Sequence, residues 1–470
     1  RILGTELGER FSYYGLRAVL TLYFLSLGLS EGGAVALFSY TSALAYFMPL
    51  LGGILADVLW GRYHTILIFS AVYVVGSTAL ALNAAAGGGV EGAMAALVLI
   101  SIGTGGIKPC VSAFGADQLG EAGGDAARER YFSSFYVAIN VGSMFAFVVT
   151  PFLRVKFGFS AAFGAAAVVL GAALAFFVGG RGSYRHVRPS ASFYRALGSR
   201  LAGWLRLRAL GRGRSYKQLA EGSVKPTAFG QPDADAEAAG GVAEGGAGSP
   251  SKEASVAVDE ALAALGRLLP VLMLMPCFWA LFDQQGSSWV LQAKALQLSG
   301  VLPFGIELSP ETLLVLNPIF VTVLVPLTRG IFERWRRWFG AAPPASTARM
   351  FVGMLLASLA FLCSSALQSV VEAGPAGSVS VLWQVPQIFL ITLAEVLVSV
   401  ESLNFFYSRA PAEAKAAVSA LSLLTVSFGD ILCGLLYQAL SSRLSLTMML
   451  LTFSALMAGN AAVFFRVTRP

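Results

Sequence analysis

The chain has 470 residues, a length that suggests about three domains in a soluble protein. The composition excludes that class, because hydrophobic residues make up 56% of the chain and charged residues only 13%. The mean hydropathy is +0.70. A soluble protein of this composition would expose large apolar patches and aggregate. We therefore predict an integral membrane protein, and the placement of its 33 Lys and Arg matters more than the net charge of +7.

A membrane-spanning helix needs about 20 mostly apolar residues. The sequence contains about twelve such stretches, in chain order 8–28, 34–59, 63–85, 92–115, 131–152, 158–178, 263–290, 310–332, 348–370, 382–407, 416–440 and 445–466. The period-2 alternation of a transmembrane barrel is absent from them. The predicted fold is therefore an all-α integral membrane protein with about 12 transmembrane helices.

The basic residues predict the orientation of these spans. Those in loops after even-numbered spans, or after the last span, are Arg62, Arg128, Arg130, Arg329, Arg334, Arg336, Arg337, Arg349, Arg409, Lys415, Arg466 and Arg469. Those in loops on the other side are Arg154, Lys156, Lys294 and Arg443. Since cytoplasmic loops carry the excess of Lys and Arg, both termini are predicted to be cytoplasmic.

One long polar stretch divides the predicted spans into six and six. Its basic part, 195–214, mixes arginines with large apolar residues, as in a helix lying on a membrane surface. Its Gly/Ala/acidic part, 228–256, has the composition of a disordered segment. We predict an N-terminal six-helix bundle (1–180), a cytoplasmic linker (181–259) and a C-terminal six-helix bundle (260–470). This is the layout of a two-bundle transporter with its substrate between the bundles.

Cysteine and histidine do not suggest a catalytic or metal site. The four cysteines all lie in apolar stretches and the two histidines in predicted cytoplasmic loops, at Cys110, Cys277, Cys363, Cys433, His64 and His186. This pattern argues against a disulfide framework or a metal cluster. We also find no P-loop and no nucleophile paired with a histidine inside the membrane, so we predict neither an enzyme nor an ATP-driven pump.

Ionisable residues inside the spans are candidates for function, because each costs about 2.5–3.5 kcal/mol on insertion scales. Six are acids and three are bases: Glu6, Glu9, Asp283, Glu395, Glu401 and Asp430, against Arg10, Arg17 and Lys108. In a low-dielectric cavity this surplus of acids cannot all stay ionised, so some must bind a proton or a cationic ligand. The alternative for Glu401 and Asp430 is that they are solvated at span ends.

Several sequence runs resemble the proton-dependent oligopeptide transporter family, a branch of the major facilitator superfamily. They are E-L-G-E-R-F-S-Y-Y-G at 6–15, G-G-I-L-A-D-V-L-W-G-R at 52–62, G-T-G-G-I-K-P-C-V-S-A-F-G-A-D-Q at 103–118, F-Y-V-A-I-N-V-G at 135–142, F-W-A-L-F-D-Q-Q-G-S-S-W at 278–289, L-N-P at 316–318, A-E-V-L-V-S-V at 394–400 and Y-S-R-A-P at 407–411. Together they cover both predicted bundles, and their order makes the resemblance specific.

The resemblance implies roles for the charged residues. Glu6, Glu9 and Arg10 would form a proton-coupling cluster with Lys108, which could pair with either acid in one state and release it in another. Arg10 and Lys108 would hold the carboxylate of a peptide, and Glu395 in the other bundle its α-ammonium group. Such opposed charges would select a zwitterion.

Further residues would line the pocket or close it. By resemblance, the additional pocket residues are Tyr13, Tyr14, Tyr46, Asn140, Trp279 and Asn317. Arg17 and Asp283 would form an external gate, while Asp57 and Arg62 would form a structural and gating lock. The alternatives are that the aromatic residues only pack helices, and that the two asparagines only hydrogen-bond between helices.

The chain also departs from the family pattern. Ser422 stands where many members have tryptophan, and Gly429-Asp430 stands where they have Gly-Asn. Glu401 lies one turn away from the acid of animal peptide transporters, which read T-G-L-E-F in this span. These differences leave the preferred peptide side chains open.

We accordingly expect a proton-coupled symporter of di- and tripeptides, driven by a proton gradient and without a cofactor. The first alternative keeps the fold and the proton coupling but carries nitrate or another small anion. The second is a nutrient receptor that binds peptides without transport. Expected partners are small peptides and the lipid bilayer but no nucleic acid, and the chain is expected to act as a monomer. We expect a multi-pass protein of the plasma membrane, with an organellar membrane as the alternative.

Overall fold

The structure is a computed structural model that describes residues 1–119, 124–187, 189, 266–301, 307–409 and 415–469. Across these residues the chain is helical, and strand pairing is limited to an isolated bridge between Gln297 and Ser380. The α-helices, numbered in chain order, are α1 Ile2–Ser26, α2 Glu31–Leu55, α3 Gly61–Ala85, α4 Val90–Asp117, α5 Gly124–Phe157, α6 Phe159–Val178, α7 Met275–Phe282, α8 Ser288–Ala295, α9 Leu316–Phe339, α10 Ser346–Ala373, α11 Val385–Glu395, α12 Glu401–Arg409, α13 Lys415–Leu440 and α14 Leu446–Thr468.

Within the described residues, ten helical segments are long and apolar enough to cross a membrane. The first of them, Glu31–Ala85, contains both α2 and α3, which are separated at Gly61, where φ is +71°. Helix α1 is outside the ten because it carries two acids and two arginines. The all-α membrane fold is therefore confirmed, whereas the number of twelve spans and the side of the termini stay predictions.

The buried side chains form two separate hydrophobic clusters. The N-terminal core is built from α1–α6 and includes Phe24 and Phe163. The C-terminal core is built mainly from residues after 266 and includes Phe361 and Phe453. The limits predicted for the three units stay predictions. Both parts singled out in the linker, 195–214 and 228–256, lie outside the described residues.

Glycines allow the helices of the N-terminal core to pack closely. A Cβ atom on Gly103 of α4 would lie 2.6 Å from the Cα atom of Tyr73 in α3. A Cβ atom on Gly106, almost one turn later, would lie 2.2 Å from the ring of Phe69. Small residues are common at membrane helix interfaces, because lipid removes the hydrophobic driving force and close van der Waals packing must stabilise the helix pair instead. The α3–α4 pair is thereby fixed, and α4 carries Lys108.

The seventh predicted span is interrupted, which the sequence analysis did not predict. Helix α7 ends at Phe282, a 3-10 turn covers Asp283–Gly286, and α8 begins at Ser288. Irregular backbone at membrane depth requires hydrogen bonds from neighbouring protein groups. Here the Thr21 hydroxyl of α1 donates to the carbonyl of Gly286 at 2.8 Å. The interruption places Asp283 at the boundary between the two cores.

The two cores meet along α2 and α13. The Tyr40 hydroxyl donates to Oε1 of Gln438 at 2.7 Å, and the Ser427 hydroxyl donates to the carbonyl of Ala43 at 2.8 Å. These bonds and the one between Thr21 and Gly286 lie toward the α1–α2 junction. The helices alternate in direction, so this end of the molecule is the predicted extracellular end. We call it the closed end.

Candidate functional site

Three charged side chains cluster on the first half of α1. Arg10 Nε lies 2.9 Å from Glu6 Oε1, and the same guanidinium also forms an ion pair with Glu9. All three residues are buried. Glu6 and Arg10 meet because they are four residues apart on one helix face. Two carboxylates therefore share one guanidinium.

Lys108 of α4 lies between two tyrosine rings. Its Nζ atom is 3.8 Å from the ring centroid of Tyr13 and 4.0 Å from that of Tyr46. Among the described residues this buried ammonium group has no hydrogen-bond acceptor. The rings provide cation–π stabilisation but leave its N–H donors unused. The predicted pairing of Lys108 with Glu6 or Glu9 is absent from this conformation, and the exchange between two states stays a prediction.

Glu395 lies in the C-terminal core at the end of α11. Its Oε2 atom accepts a hydrogen bond from Asn317 Nδ2 at 2.9 Å, and the same amide nitrogen lies 3.2 Å from the Thr392 hydroxyl. A π-helical turn, Val396–Val400, follows directly. Such turns are frequent at functional sites. The carboxylate is oriented by a neutral amide, so its negative charge is not compensated by that contact.

Two tyrosines of the N-terminal core, Tyr14 and Tyr136, lie within electrostatic range of Glu395 in the C-terminal core. Tyr14 lies within electrostatic range of both Arg10 and Glu395. Tyr136 of α5 lies within range of Glu395 and beside Asn140, whose amide donates to the Tyr136 carbonyl at 2.9 Å. Tyr136 was missed in the sequence analysis, although it lies one helical turn before Asn140 in the F-Y-V-A-I-N-V-G run.

A cavity lies between the two cores. Its lining residues come from both sides: Tyr14, Arg17, Ala18, Phe147, Phe282, Asp283, Gln285, Gly286, Leu314 and Asn317. We call it the inter-core cavity. Tyr14 and Asn317 of the predicted pocket set line it. Trp279, also of that set, packs edge-to-face on Phe278 and Phe282, with centroids 5.2 Å and 5.7 Å away.

In the part of the chain that the structure describes, two ion pairs join the cores at the closed end. Arg17 Nη2 lies 3.1 Å from Asp283 Oδ2, so the structure brings the two predicted gate residues together. Arg154 at the end of α5 contacts Glu311 through two nitrogens, with Nη2 3.2 Å from Oε2. The sequence analysis recorded Arg154 only as a loop residue and did not consider Glu311. Nothing in the local sequence identifies that acid as its partner.

Arg62 of the predicted Asp57–Arg62 lock forms an ion pair with a further acid, Asp117, and the lock itself stays a prediction. Arg62 Nη1 lies 2.6 Å from both carboxylate oxygens of Asp117 at the end of α4. Asp57 lies in the π-helical turn Ala56–Trp60 that ends the second span. Asp117 belongs to the G-A-D-Q run quoted above. The guanidinium reaches that acid because α3 and α4 are packed against each other.

The alternative of solvated span ends is wrong for both remaining acids. Glu401 is 5% exposed and forms an ion pair with Arg349 of α10. Asp430 in α13 is 0% exposed. The Ser422 hydroxyl donates to the carbonyl of Val418 on its own helix at 3.0 Å.

Two packed helical cores with a charged cavity between them define a secondary-transporter architecture of the major facilitator type. The POT family model matches residues 63–453. The chain belongs to the POT family and is a multi-pass integral membrane protein.

The similar proteins agree with this assignment. Peptide transporter family 1 of Drosophila melanogaster is 34% identical over 386 residues, which cover 79% of this chain and 47% of that protein. Solute carrier family 15 member 2 of Mus musculus is 37% identical over 379 residues, covering 78% and 48%. The chain thus spans about half the length of the curated relatives it matches.

Solved structures match over nearly the whole chain. A crystal structure described as an auto-inhibited POT family peptide transporter is similar with a TM-score of 0.79 at 26% identity, covering 99% of this chain and 95% of that one. A structure described as a proton dependent oligopeptide (POT) family transporter is similar with a TM-score of 0.74 at 29% identity, covering 98% and 99%.

Proposed function

We propose that the protein is a proton-coupled symporter that carries di- and tripeptides by alternating access. The observation that supports this most directly is the opposition of charges across the two cores. Arg10 and Lys108 belong to the N-terminal core, Glu395 belongs to the C-terminal core, and Tyr14 lies within electrostatic range of both Arg10 and Glu395. A ligand with a negative and a positive end can therefore contact both cores at once.

The peptide carboxylate would be held by Lys108, with Arg10 close by. Lys108 has unused N–H donors, and the rings of Tyr13 and Tyr46 fix its position. The peptide ammonium would be held by Glu395, whose hydrogen-bond donor in this structure is the neutral amide of Asn317. Nitrate or another small anion lacks a positive end, so the carboxylate of Glu395 would repel it. Peptide is therefore the favoured cargo.

Proton coupling would follow from the shared guanidinium of Arg10. Glu6 and Glu9 both form their ion pairs with this one cation. If a peptide carboxylate draws Arg10 toward itself, one of the two acids loses its counter-charge in a buried site. Because an unpaired buried carboxylate is costly, it would bind a proton instead. Proton binding and peptide binding would then favour each other, as linked equilibria require.

Alternating access would require the closed end to open. The Arg17–Asp283 and Arg154–Glu311 ion pairs, together with the bond between Thr21 and Gly286, hold the cores together there. A peptide that contacts both cores would favour rocking of one against the other. The names of the relatives, Peptide transporter family 1 among them, support the same cargo. We further propose that the protein acts as a monomer in the plasma membrane.

The test is uptake into proteoliposomes. The purified full chain is reconstituted, a labelled dipeptide is supplied outside, and an inward-acidic pH step is imposed. We expect uptake that disappears when a protonophore collapses the gradient and that unlabelled dipeptides inhibit but nitrate does not. Peptide binding without uptake across a small peptide library would favour a receptor. Inhibition by nitrate alone would favour an anion carrier. Either result would overturn the proposal.

A further inference from the structure

We propose that Asp430 and Asp283 form a carboxyl–carboxylate pair that shares one proton at the closed end, so that Asp430 is a further proton-binding residue. The inference deepens the proposed function and rests on it for the physiological role of that proton. The ligand is a proton, held on α13 of the C-terminal core. This site is separate from the Glu6, Glu9 and Arg10 cluster on α1.

The first argument is the environment of Asp430. Its side chain is 0% exposed, and among the described residues neither carboxylate oxygen meets an N–H or O–H donor. An ionised carboxylate in such a place would lack both water and hydrogen bonds, which is strongly unfavourable. The neutral acid avoids this cost and gains an O–H donor. The burial and the missing donors therefore favour Asp430 with its proton bound.

The second argument is the acceptor that Asp430 faces. Its side chain lies within hydrogen-bonding reach of Asp283, in the 3-10 turn that interrupts the seventh span. Asp283 is the acid whose other contact is the guanidinium of Arg17 at 3.1 Å. A protonated Asp430 can donate its O–H to the Asp283 carboxylate, a strong charge-assisted hydrogen bond. Two adjacent carboxyl groups that hold one proton between them are a stable arrangement in proteins.

The surrounding groups leave Asp430 without a cation in direct contact. The titratable and charged groups that face the pair from α1, α2, α4, α11 and α13 are Arg17, Lys108, Tyr13, Tyr14, Tyr46, Glu395 and Cys433. Of the two bases, Arg17 forms its ion pair with Asp283, and Lys108 lies between two tyrosine rings. Neither forms an ion pair with Asp430 in the part of the chain that the structure describes.

The packing of α13 keeps Asp430 at this position. At the preceding residue, Gly429, an added Cβ atom would lie 2.5 Å from the carbonyl oxygen of Pro276. One turn after Asp430, an added Cβ atom on Gly434 would lie 2.5 Å from the ring of Tyr40 in α2. The acid is thus fixed between α7 and the opposite core. It cannot swing out to water while the closed end stays closed.

The proton on Asp430 would couple proton binding to closure of this end. While Asp430 holds its proton, Asp283 is free to pair with Arg17. If Asp430 loses the proton, two negative carboxylates compete for one guanidinium, which weakens the ion pair that joins the cores. Closing this end would then take up one proton from the extracellular side, and opening it would allow that proton to exchange.

The test is infrared difference spectroscopy of the purified full chain in lipid, without peptide or gradient. We expect a carbonyl-stretch band of a protonated carboxylic acid that the variant Asp430→Asn lacks. The matched control is Glu333→Gln, an exposed acid paired with Arg329 one turn away, and it should leave the band unchanged. An identical band in the wild type and in Asp430→Asn would overturn the inference.

Two further measurements keep the inference testable. If Asp430→Asn does not fold, Asp283→Asn should shift the frequency of the band, because the acceptor becomes an amide; an unshifted band would contradict the pair. Replacing sodium chloride by choline chloride should leave the band unchanged. Loss of the band on adding sodium would assign the site to a metal cation and overturn the proposal. These spectra need no transport, so a failure of the proposed function would be distinguished from a failure of the proton pair.

Discussion

Glu395 and Glu401 lie six residues apart on the same predicted span, yet their surroundings differ in kind. Glu401 forms an ion pair with Arg349, so its charge is compensated within the C-terminal core. Glu395 accepts a hydrogen bond from the neutral amide of Asn317, which orients the carboxylate without compensating its charge. Only the second arrangement leaves negative charge available for a cationic ligand group. Their partners therefore indicate a structural role for Glu401 and a binding role for Glu395.

This difference predicts the effect of Glu395→Gln. Glutamine keeps an oxygen that can accept the bond from Asn317 but removes the charge proposed to hold the peptide ammonium. We expect binding of free-amino dipeptides to weaken by about 2 kcal/mol or more, roughly 30-fold, because a buried charge pair is lost. Binding of amino-blocked dipeptides should change little. Isothermal titration with both ligands measures the difference, and Glu333→Gln is the control. Equal loss for both ligands would contradict the role of Glu395.

At the scale of elements, the close packing of α3 against α4 requires glycine, which has no side chain, at the contact. Gly103 lies against the backbone of Tyr73, so a methyl group there has no flexible neighbour to displace. By contrast, a Cβ atom on Gly164 of α6 would have no heavy atom within 4 Å. Both positions are in the interior of a helix, so the intrinsic helix propensity of alanine acts on them alike. Comparing alanine substitutions at Gly103 and Gly164 therefore isolates the effect of helix packing.

We expect Gly103→Ala to destabilise the protein by about 1–3 kcal/mol, the usual cost of overpacking. Gly164→Ala should leave stability unchanged or slightly increased. Thermal unfolding in detergent, followed by intrinsic fluorescence, provides the comparison. If the two variants unfold at the same temperature, α3 and α4 are not in the close contact described here. Because α4 carries Lys108, Gly103→Ala should also weaken dipeptide binding in protein that remains folded.

At the scale of the whole molecule, buried ion pairs contribute to the contact between the cores. Glu311 is fully buried, and its guanidinium partner Arg154 belongs to the other core. Removing Arg154 leaves a buried carboxylate without a cation, at a cost of about 3 kcal/mol. That cost falls on the closed conformation, because water can reach Glu311 once the cores separate. The equilibrium between conformations should therefore shift toward opening of the closed end.

We accordingly expect Arg154→Gln to increase hydrogen–deuterium exchange near the start of α9 and at the 3-10 turn Asp283–Gly286. The double reversal Arg154→Glu with Glu311→Arg should restore protection, because it rebuilds the ion pair with the charges exchanged. The control is Arg329→Gln, which removes an exposed pair within α9. Unchanged exchange in Arg154→Gln would show that this pair does not hold the cores together.

Much of the fold could be predicted from local sequence. The span predicted at 158–178 is the helix Phe159–Val178, and that predicted at 445–466 is Leu446–Thr468. The interruption in the seventh span was missed because D-Q-Q-G-S-S is polar but contains no proline. Its non-helical turn is stabilised by a hydroxyl from α1, some 265 residues away in the chain. Local sequence contains no information on that bond.

The ordered motifs indicated the POT family, and local sequence was sufficient to identify a helical membrane protein. It could do so because a membrane helix makes its backbone hydrogen bonds internally, so that apolar length alone reveals it. It also identified the acids and bases inside the spans. Their partners follow from the tertiary structure alone, which gives Glu401 an ion pair with Arg349 and Glu395 a hydrogen bond from Asn317. An ion pair depends on distances of a few ångströms between helices far apart in sequence, and those distances are set by packing.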